Sequence, residues 1–144
     1  MILREMTLRM TLSLTSCLAS GGSVKKKPVS FESAVANPGA PNIEDVSPQE
    51  LAEKADLVHV VDVRGPDEFT GELGHIAGAK LIVLDKLPEH IDDLPRDEPI
   101  VFVCKSGGRS GRAAAFAKDA GFEHVFNMAG GMLAWNSIGL PVEK

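Results

Sequence analysis

Beyond residue 42, the chain alternates short apolar runs with segments in which apolar and polar positions recur at helical spacing. The apolar runs are short and rich in β-branched residues, which favours strands that are buried on both faces. They predict strands over residues 43–46, 57–62, 79–83, 99–103 and 125–127. Helices or helical turns are predicted between them, over residues 48–55, 66–70, 85–94, 110–120 and 131–136.

Two of the predicted helices carry boundary signals. The first helix starts with the pattern of a capping box, in which Ser47 caps the helix and Glu50 reaches back to the Ser47 amide. Pro48 fits the first helical position of the same segment. The helix over residues 110–120 has an apolar side and is followed by Gly121, a residue well suited to end it.

Strands that alternate with helices along a chain are typical of an α/β domain with a parallel sheet. We therefore predict a three-layer α/β/α domain, in which helices cover both faces of a mainly parallel sheet of about five strands. Ligands of such sheets bind beyond the carboxyl ends of the strands. Cys104 directly follows the predicted strand at residues 99–103, so it lies where a ligand site is expected.

Residues 1–41 differ from the rest of the chain because they are rich in Gly, Ser, Pro and Lys and poor in bulky residues. We predict that they form a leader or linker and that the folded domain spans residues 42–142. The segment that ends at Cys17, Leu-Thr-Ser-Cys, resembles the lipobox of bacterial lipoproteins, although the apolar run before it is short and diluted by Thr and Ser. Two interpretations stay open: a cytoplasmic protein with a disordered extension, which we favour, and a periplasmic lipoprotein anchored through Cys17. No stretch of the sequence approaches the roughly 20 apolar residues of a membrane-spanning helix.

The composition of the chain argues against several classes of function. The chain of 144 residues is long enough for one domain with one core. Its net charge of −5 and its lack of Tyr predict neither a basic surface nor a stacking platform for nucleic acid. Its four His residues lack metal-ligand spacing and its two Cys residues lie far apart, so we predict no metal site, no cofactor and no disulfide framework.

The segment of residues 104–110 has the composition of an anion-binding loop. Its two glycines allow backbone conformations closed to other residues, so successive amides can turn inward. The helix that follows directs its free amides at the same place, and Lys105 and Arg109 add positive charge. These effects favour the thiolate form of Cys104, which is the nucleophilic form of a cysteine.

Four sequence elements, in order, resemble those of rhodanese-type sulfurtransferases, and together they cover about residues 42–142. The segment of residues 104–110 resembles the active-site loop of that family. The other three elements are Val61-Asp62-Val63-Arg64 with Glu68-Phe69, Gly74-His75-Ile76-Ala77-Gly78-Ala79 with Ala77 in place of the usual proline, and the closing Gly130-Gly131, Trp135 and Gly139-Leu140-Pro141-Val142. The resemblance implies the rhodanese-like form of the α/β fold.

The resemblance also implies a mechanism. The Cys104 thiolate would take a sulfane sulfur from thiosulfate or a similar donor as a persulfide, and pass it to cyanide or a thiol. The implied partners are small molecules, with a protein sulfur acceptor as an alternative. Cys104 is the expected catalytic residue, and Asp62 and Arg64 are expected to support the loop. The residues expected to bind the substrate are Lys105, Ser106, Gly107, Gly108, Arg109 and Ser110.

Three alternatives stay open at this point. Phosphatases and arsenate reductases of a related fold separate Cys and Arg by five residues, whereas four residues separate Cys104 from Arg109. The shorter loop suits a single sulfur atom better than a phosphoryl group. Rhodanese-like modules used in regulation often lose the cysteine, which this chain keeps. A persulfide carrier that serves a protein partner is not separable from a small-molecule enzyme by sequence.

Overall fold

The structure, a computed structural model, describes residues 25–144. These residues form one sheet with helices on both sides. The strands are β1 (Val35–Asn37), β2 (Ala40–Val46), β3 (His59–Asp62), β4 (Lys80–Leu81), β5 (Ile100–Val103) and β6 (Val125–Met128). The α-helices are α1 (Pro48–Lys54), α2 (Pro66–Phe69), α3 (Leu87–His90), α4 (Gly108–Asp119) and α5 (Gly131–Ser137), and short 3₁₀ turns lie at Ala55–Leu57, Leu84–Lys86 and Ile91–Asp93.

The sheet is parallel except at one edge. Its strand order is β1-β2-β6-β5-β3-β4, and only the β1–β2 pair is antiparallel. β5 lies in the middle of the sheet and all four of its residues are buried, as expected for a strand covered on both faces. The carboxyl end of this strand is therefore surrounded by the ends of β3 and β6, which places the following loop at the centre of one edge.

Two apolar clusters fill the space on the two faces of the sheet, which confirms the predicted three-layer α/β/α arrangement. On one face, α3 and α4 contribute Leu87, Ala113 and Ala117 to a cluster that also contains Phe102 of β5. On the other face, α1 and α5 contribute residues of a second cluster, among them Leu51, Met132 and Trp135. Alternate residues of β5 enter opposite clusters because successive side chains of a strand point to opposite faces.

The sheet has six strands, where about five were predicted. The additional strand is β1, which pairs with β2 through Val35 opposite Asp45 and Ala36 opposite Glu44. The predicted domain boundary at residue 42 falls inside β2, and the residues just before it form β1, which pairs with β2. The predicted leader up to residue 24, with Cys17, lies outside the described residues. Within residues 25–144, no helix has the length and apolar character needed to cross a membrane.

Among the contacts that attach the segment before β1 to the domain are one buried ring and one carboxylate. Phe31 is 6% exposed and packs edge to face on Phe126, with the ring centroids 5.0 Å apart. Glu50 accepts hydrogen bonds from the amide and the hydroxyl of Ser33, at 2.8 and 2.6 Å. These contacts join residues 31–33 to α1 and to the second apolar cluster.

The start of α1 follows the prediction only in part. The Ser47 hydroxyl accepts a hydrogen bond from the Glu50 amide at 3.1 Å, so Ser47 is the predicted cap. The predicted return contact from Glu50 to the Ser47 amide is wrong. The Ser33 hydroxyl accepts a hydrogen bond from the Ser47 amide at 3.0 Å instead, because the Glu50 carboxylate accepts hydrogen bonds from the segment before β1.

Helix α4 begins at Gly108, two residues before the predicted start. Gly107 caps it with φ of 104°, a left-handed conformation that glycine adopts at little cost. The Gly107 carbonyl accepts the amide of Gly111 at 3.1 Å, which closes the first helical turn. The loop after β5 is therefore short, and the start of the helix lies directly above the cysteine.

Candidate active site

The loop of residues 104–107 follows the carboxyl end of β5, and its backbone is hydrogen bonded to the first residues of helix α5. The Met132 amide donates to the Cys104 carbonyl at 2.8 Å, and the Leu133 amide donates to the Lys105 carbonyl at 3.0 Å. Gly131 has φ of 59°, and a Cβ on it would overlap the Lys105 carbonyl. The start of α5 therefore packs against the loop backbone so closely that only glycine fits at this position.

The sulfur of Cys104 lies inside the loop and accepts hydrogen bonds. Cys104 is 1% exposed. The Gly107 amide lies 3.0 Å from Sγ and the Ser110 hydroxyl lies 3.1 Å from it. Burial raises the pKa of the Cys104 thiol, but the Ser110 hydroxyl and the amides of Ser110, Gly107 and Ser106 outweigh it. The net pKa therefore lies below its ordinary value, and the thiolate is favoured as the sequence predicted.

The two cations of the loop have different surroundings. Arg109 forms a two-pronged ion pair with Glu68 of α2, at 2.8 and 2.9 Å. The hydrogen bond from Arg109 lowers the pKa of Glu68 to about 2, so the pair stays charged at neutral pH. Lys105 is exposed, and its ammonium forms no ion pair with any side chain of residues 25–144. Lys105 is thus the cation of the loop that is most available to an anionic ligand.

Asp62 and Arg64 form a buried ion pair at the end of β3, next to the loop. Asp62 is registered opposite Val103, and the Arg64 guanidinium donates to its carboxylate at 2.7 and 2.9 Å. Arg64 also donates to the carbonyls of Glu68 and Gly74, at 3.2 and 2.7 Å. The pair therefore holds α2, and α2 holds Arg109 through Glu68, which is an indirect support of the loop.

A solvent-open cleft of about 260 Å³ lies beside the loop, between Lys105 and α2. Its walls include the acidic side chains of Glu68 and Glu72 and the apolar side chain of Leu73. The cleft is large enough for a small anion or for the end of a thiol acceptor. Among residues 25–144, no cluster of three or more His, Cys, Asp or Glu side chains is placed to hold a metal ion.

The structure places two of the predicted loop residues, Gly107 and Ser110, in hydrogen-bond contact with the Cys104 sulfur, whereas Arg109 pairs with Glu68 and Lys105 is exposed. It adds three residues that the sequence did not assign to the site, which are Glu68, Asn127 and Asp45. Glu68 was noted in a motif, but its pairing with Arg109 spans 41 positions and has no local signal. Asn127 is a buried polar residue in an apolar strand, a pattern that calls for a specific partner. It hydrogen bonds to Ser110 and to Asp45, both far from it in sequence.

Comparison with known proteins gives one consistent family. The family model described as a rhodanese-like domain matches residues 47–138. A sulfurtransferase of Allochromatium vinosum is 35% identical over 94 residues, which cover 65% of this chain and 85% of the relative. A thiosulfate sulfurtransferase GlpE of Pseudoalteromonas translucida is 34% identical over 88 residues, covering 61% of this chain and 81% of the relative. The crystal structure of a rhodanese-related protein from Thermoplasma volcanium has a TM-score of 0.63 at 30% identity, over 67% of this chain and 94% of that one.

Proposed function

The chain belongs to the rhodanese-like domain family, and from that premise we propose that it is a sulfurtransferase that carries a sulfane sulfur as a persulfide on Cys104. The family and the relatives named sulfurtransferases support sulfur transfer as the general activity. The observation that carries the specific proposal is the buried Cys104 sulfur, which accepts hydrogen bonds from the Gly107 amide and the Ser110 hydroxyl. Such donors stabilise an anionic sulfur both before and after it gains a second sulfur atom.

We propose thiosulfate as the donor in the first half-reaction. The Cys104 thiolate attacks the outer sulfur of thiosulfate, and a new S–S bond forms while the S–S bond of the donor breaks. The electron pair of the broken bond leaves with sulfite. No separate general base is needed, because the lowered pKa of Cys104 already favours the thiolate.

The second half-reaction returns the enzyme to its starting state. Cyanide or a thiolate attacks the outer sulfur of the persulfide, and the Cys104 thiolate leaves. The products are thiocyanate or a persulfide on the acceptor, and no electrons are exchanged with a cofactor. Because the donor product leaves before the acceptor reacts, ping-pong kinetics are expected.

The loop cations support an anionic donor. Lys105 lies exposed at the rim of the cleft, and Arg109 is 34% exposed in its pair with Glu68. We assign the first contact with thiosulfate to Lys105. Arg109 makes a smaller electrostatic contribution, because its ion pair with Glu68 partly neutralises its charge.

Replacement of the nucleophile tests the proposal. Cys104→Ser is expected to abolish transfer of sulfur from thiosulfate to cyanide, because a serine hydroxyl is not ionised at neutral pH. The folded state should be retained, since the substitution replaces one buried atom by a smaller one. Cys17→Ser is the matched control, because it removes the other cysteine of the chain and should leave transfer unchanged. Undiminished transfer by the Cys104→Ser protein would exclude the proposal.

The same assays separate the alternatives. Turnover of an aryl phosphate without a persulfide on Cys104 would favour a phosphatase. A persulfide that forms on Cys104 but passes only to a protein thiol would favour a carrier. A protein that forms no persulfide and turns over neither substrate would favour a regulatory module.

We also propose a cytoplasmic location, where a reactive thiol is more easily kept reduced. The alternative is a periplasmic lipoprotein that is anchored through Cys17. The intact mass of the mature protein from the native host distinguishes the two. The proposal expects no acyl chain on Cys17, and a diacylglycerol-modified N-terminal cysteine would overturn it.

A further inference from the structure

Behind the nucleophile, Ser110 is linked to two further polar side chains, Asn127 and Asp45, that the sulfur-transfer steps do not use. Ser110 and Asn127 are 0% and 1% exposed. The Ser110 hydroxyl lies within hydrogen-bonding distance of both the Cys104 sulfur and the Asn127 Oδ1. Asn127 Nδ2 donates to Asp45 Oδ1 at 2.9 Å, so these links run from the sulfur to a carboxylate on β2.

Asp45 determines which end of the Asn127 amide faces Ser110. The two residues are registered opposite each other on the neighbouring strands β2 and β6. Asn37 Nδ2 donates to the same Asp45 Oδ1 at 2.8 Å, which fixes the carboxylate in turn. Because a carboxylate only accepts hydrogen bonds, Asn127 turns its NH₂ group towards Asp45 and its oxygen towards Ser110.

The backbone of α4 closes over this arrangement. Gly111 lies so near that a Cβ on it would be 3.4 Å from Asn37 Nδ2 and 3.9 Å from Asn127 Nδ2. Asn127 is 1% exposed and is held at both ends of its amide by Ser110 and Asp45. The contacts are therefore a property of the packed fold and not of an exposed side chain.

Ser110 has one hydroxyl proton and two acceptors. It can donate to the sulfur or to Asn127 Oδ1, but not fully to both. When Cys104 is a thiol, its own proton is available and Ser110 can donate to Asn127. When Cys104 is a thiolate or a persulfide anion, Ser110 must turn its proton to the sulfur, and Asn127 Oδ1 loses its donor.

We propose that Asn127, held in one orientation by Asp45, competes with the Cys104 sulfur for the single hydroxyl proton of Ser110, so that Asn127 and Asp45 are positioning residues that moderate the nucleophile. The competition limits how strongly the resting thiolate is stabilised. A sulfur that is held less firmly as an anion is a better nucleophile for a given amount of thiolate. The inference deepens the proposed function, but its test does not require sulfur transfer.

Other charged groups lie around the loop and must stay constant in the test. They are Lys105 in the loop itself, Arg109 on α4, Glu68 on α2 and the Asp62–Arg64 pair at the end of β3, while α5 and β6 carry no charged residue. None of them is in hydrogen-bond contact with Asn127 or Ser110. The variants below leave all of them in place.

The test is a double-mutant cycle on the pKa of Cys104, read from thiolate absorbance and from the pH dependence of alkylation in the Cys17→Ser protein. Asn127→Ala removes the competing acceptor without removing a charge. Asp45→Ala frees the Asn127 amide to turn its NH₂ group towards Ser110. Each variant is expected to increase the ionisation constant of Cys104 by about tenfold, the size of one hydrogen bond to a charged group.

The same substitutions in the Ser110→Ala protein provide the decisive comparison. The effect of Asn127→Ala should vanish there, and Asp45→Ala should keep only the part due to its lost charge. Glu44→Ala, an exposed residue beside Asp45 on β2, controls for charge removal and should have little effect. Ionisation that is unchanged by Asn127→Ala and Asp45→Ala, or shifted equally whether or not the Ser110 hydroxyl is present, would overturn the inference. If one of the two variants does not fold, the other is sufficient for the test. Because the test measures the ionisation of Cys104, it can be interpreted even if the protein does not transfer sulfur.

Discussion

At the scale of single residues, Cys104 is activated mainly by uncharged donors. The sequence suggested that Lys105 and Arg109 would supply much of the stabilisation of the thiolate. In the structure, the hydroxyl of Ser110 and the loop amides counter the effect of burial on the pKa of Cys104. Arg109 is engaged by Glu68, which leaves Lys105 as the exposed cation.

Ser110→Ala should raise the pKa of Cys104. The hydroxyl hydrogen bond favours the charged sulfur and disappears, while the burial that disfavours the charge remains. The thiolate fraction at neutral pH falls, and the pH profile of alkylation by iodoacetamide moves to higher pH. We expect alkylation at pH 7 to slow by about threefold to tenfold.

Ser106→Ala is the matched control for that change. Ser106 is exposed and stabilises the sulfur through its backbone amide, which alanine keeps. Its alkylation profile should match that of the unchanged protein. An equal shift in the two variants, or no shift in Ser110→Ala, would contradict the role given to the Ser110 hydroxyl.

Lys105→Ala should weaken the binding of an anionic donor and change the chemical step less. The ammonium is exposed, so its contribution is that of a surface charge, and the KM for thiosulfate should rise by about twofold to fivefold. Steady-state kinetics with thiosulfate and cyanide give both constants. Lys118→Ala removes another exposed charge, in the last turn of α4 and thus at the opposite end of that helix from the loop, and should leave KM unchanged. A KM that does not respond to Lys105→Ala would move the donor contact to Arg109.

At the scale of elements, the loop depends on the start of α5 as much as on its own residues. Gly131 allows the helix to approach until its first amides bond to the carbonyls of Cys104 and Lys105. Gly131→Ala is therefore expected to displace the loop and to reduce sulfur transfer at least tenfold, because a Cβ meets backbone that has no room to retreat.

Gly139→Ala separates that close approach from backbone strain alone. Gly139 also has a positive φ, of 77°, but open space surrounds the position of its Cβ. Its substitution should lower the melting temperature modestly and leave transfer nearly intact. Equal loss of transfer in both variants would show that strain, and not contact with the loop, explains the Gly131 result.

The elements show which parts of the fold a sequence can predict. The strand that leads to Cys104 was predicted because a β-branched apolar run is a local signal. β1 was not, since Val35–Asn37 has no such run and becomes a strand only because β2 offers it an edge. Glu50 matched a local capping pattern, yet Ser33 competes for its carboxylate from outside the helix. The Glu68–Arg109 pair was missed for the same reason, because its partners meet only in the folded chain.

At the scale of the whole molecule, the domain includes the segment that precedes β1. Phe31 is buried against Phe126, and the Lys54 ammonium lies 5.3 Å from the centre of its ring. Phe31→Ala should lower the free energy of unfolding by about 3 kcal/mol or more, as for other large-to-small changes in a core. Chemical denaturation monitored by the fluorescence of Trp135 measures it.

Phe116→Ala is the control, since Phe116 is 39% exposed on α4 and its loss should cost about 1 kcal/mol or less. If Phe31→Ala lowered the free energy of unfolding by as little as Phe116→Ala, the segment of residues 25–34 would contribute little to the stability of the domain. The predicted start at residue 42 would then describe the stable unit better than the structure does.

The most direct test of the central claim is the mass of the peptide that contains Cys104 after the protein has reacted with thiosulfate. We predict the gain of one sulfur atom on Cys104, its removal by cyanide, and no gain at this position in the Cys104→Ser protein. A peptide that gains no sulfur, or a gain found only on Cys17, would contradict it.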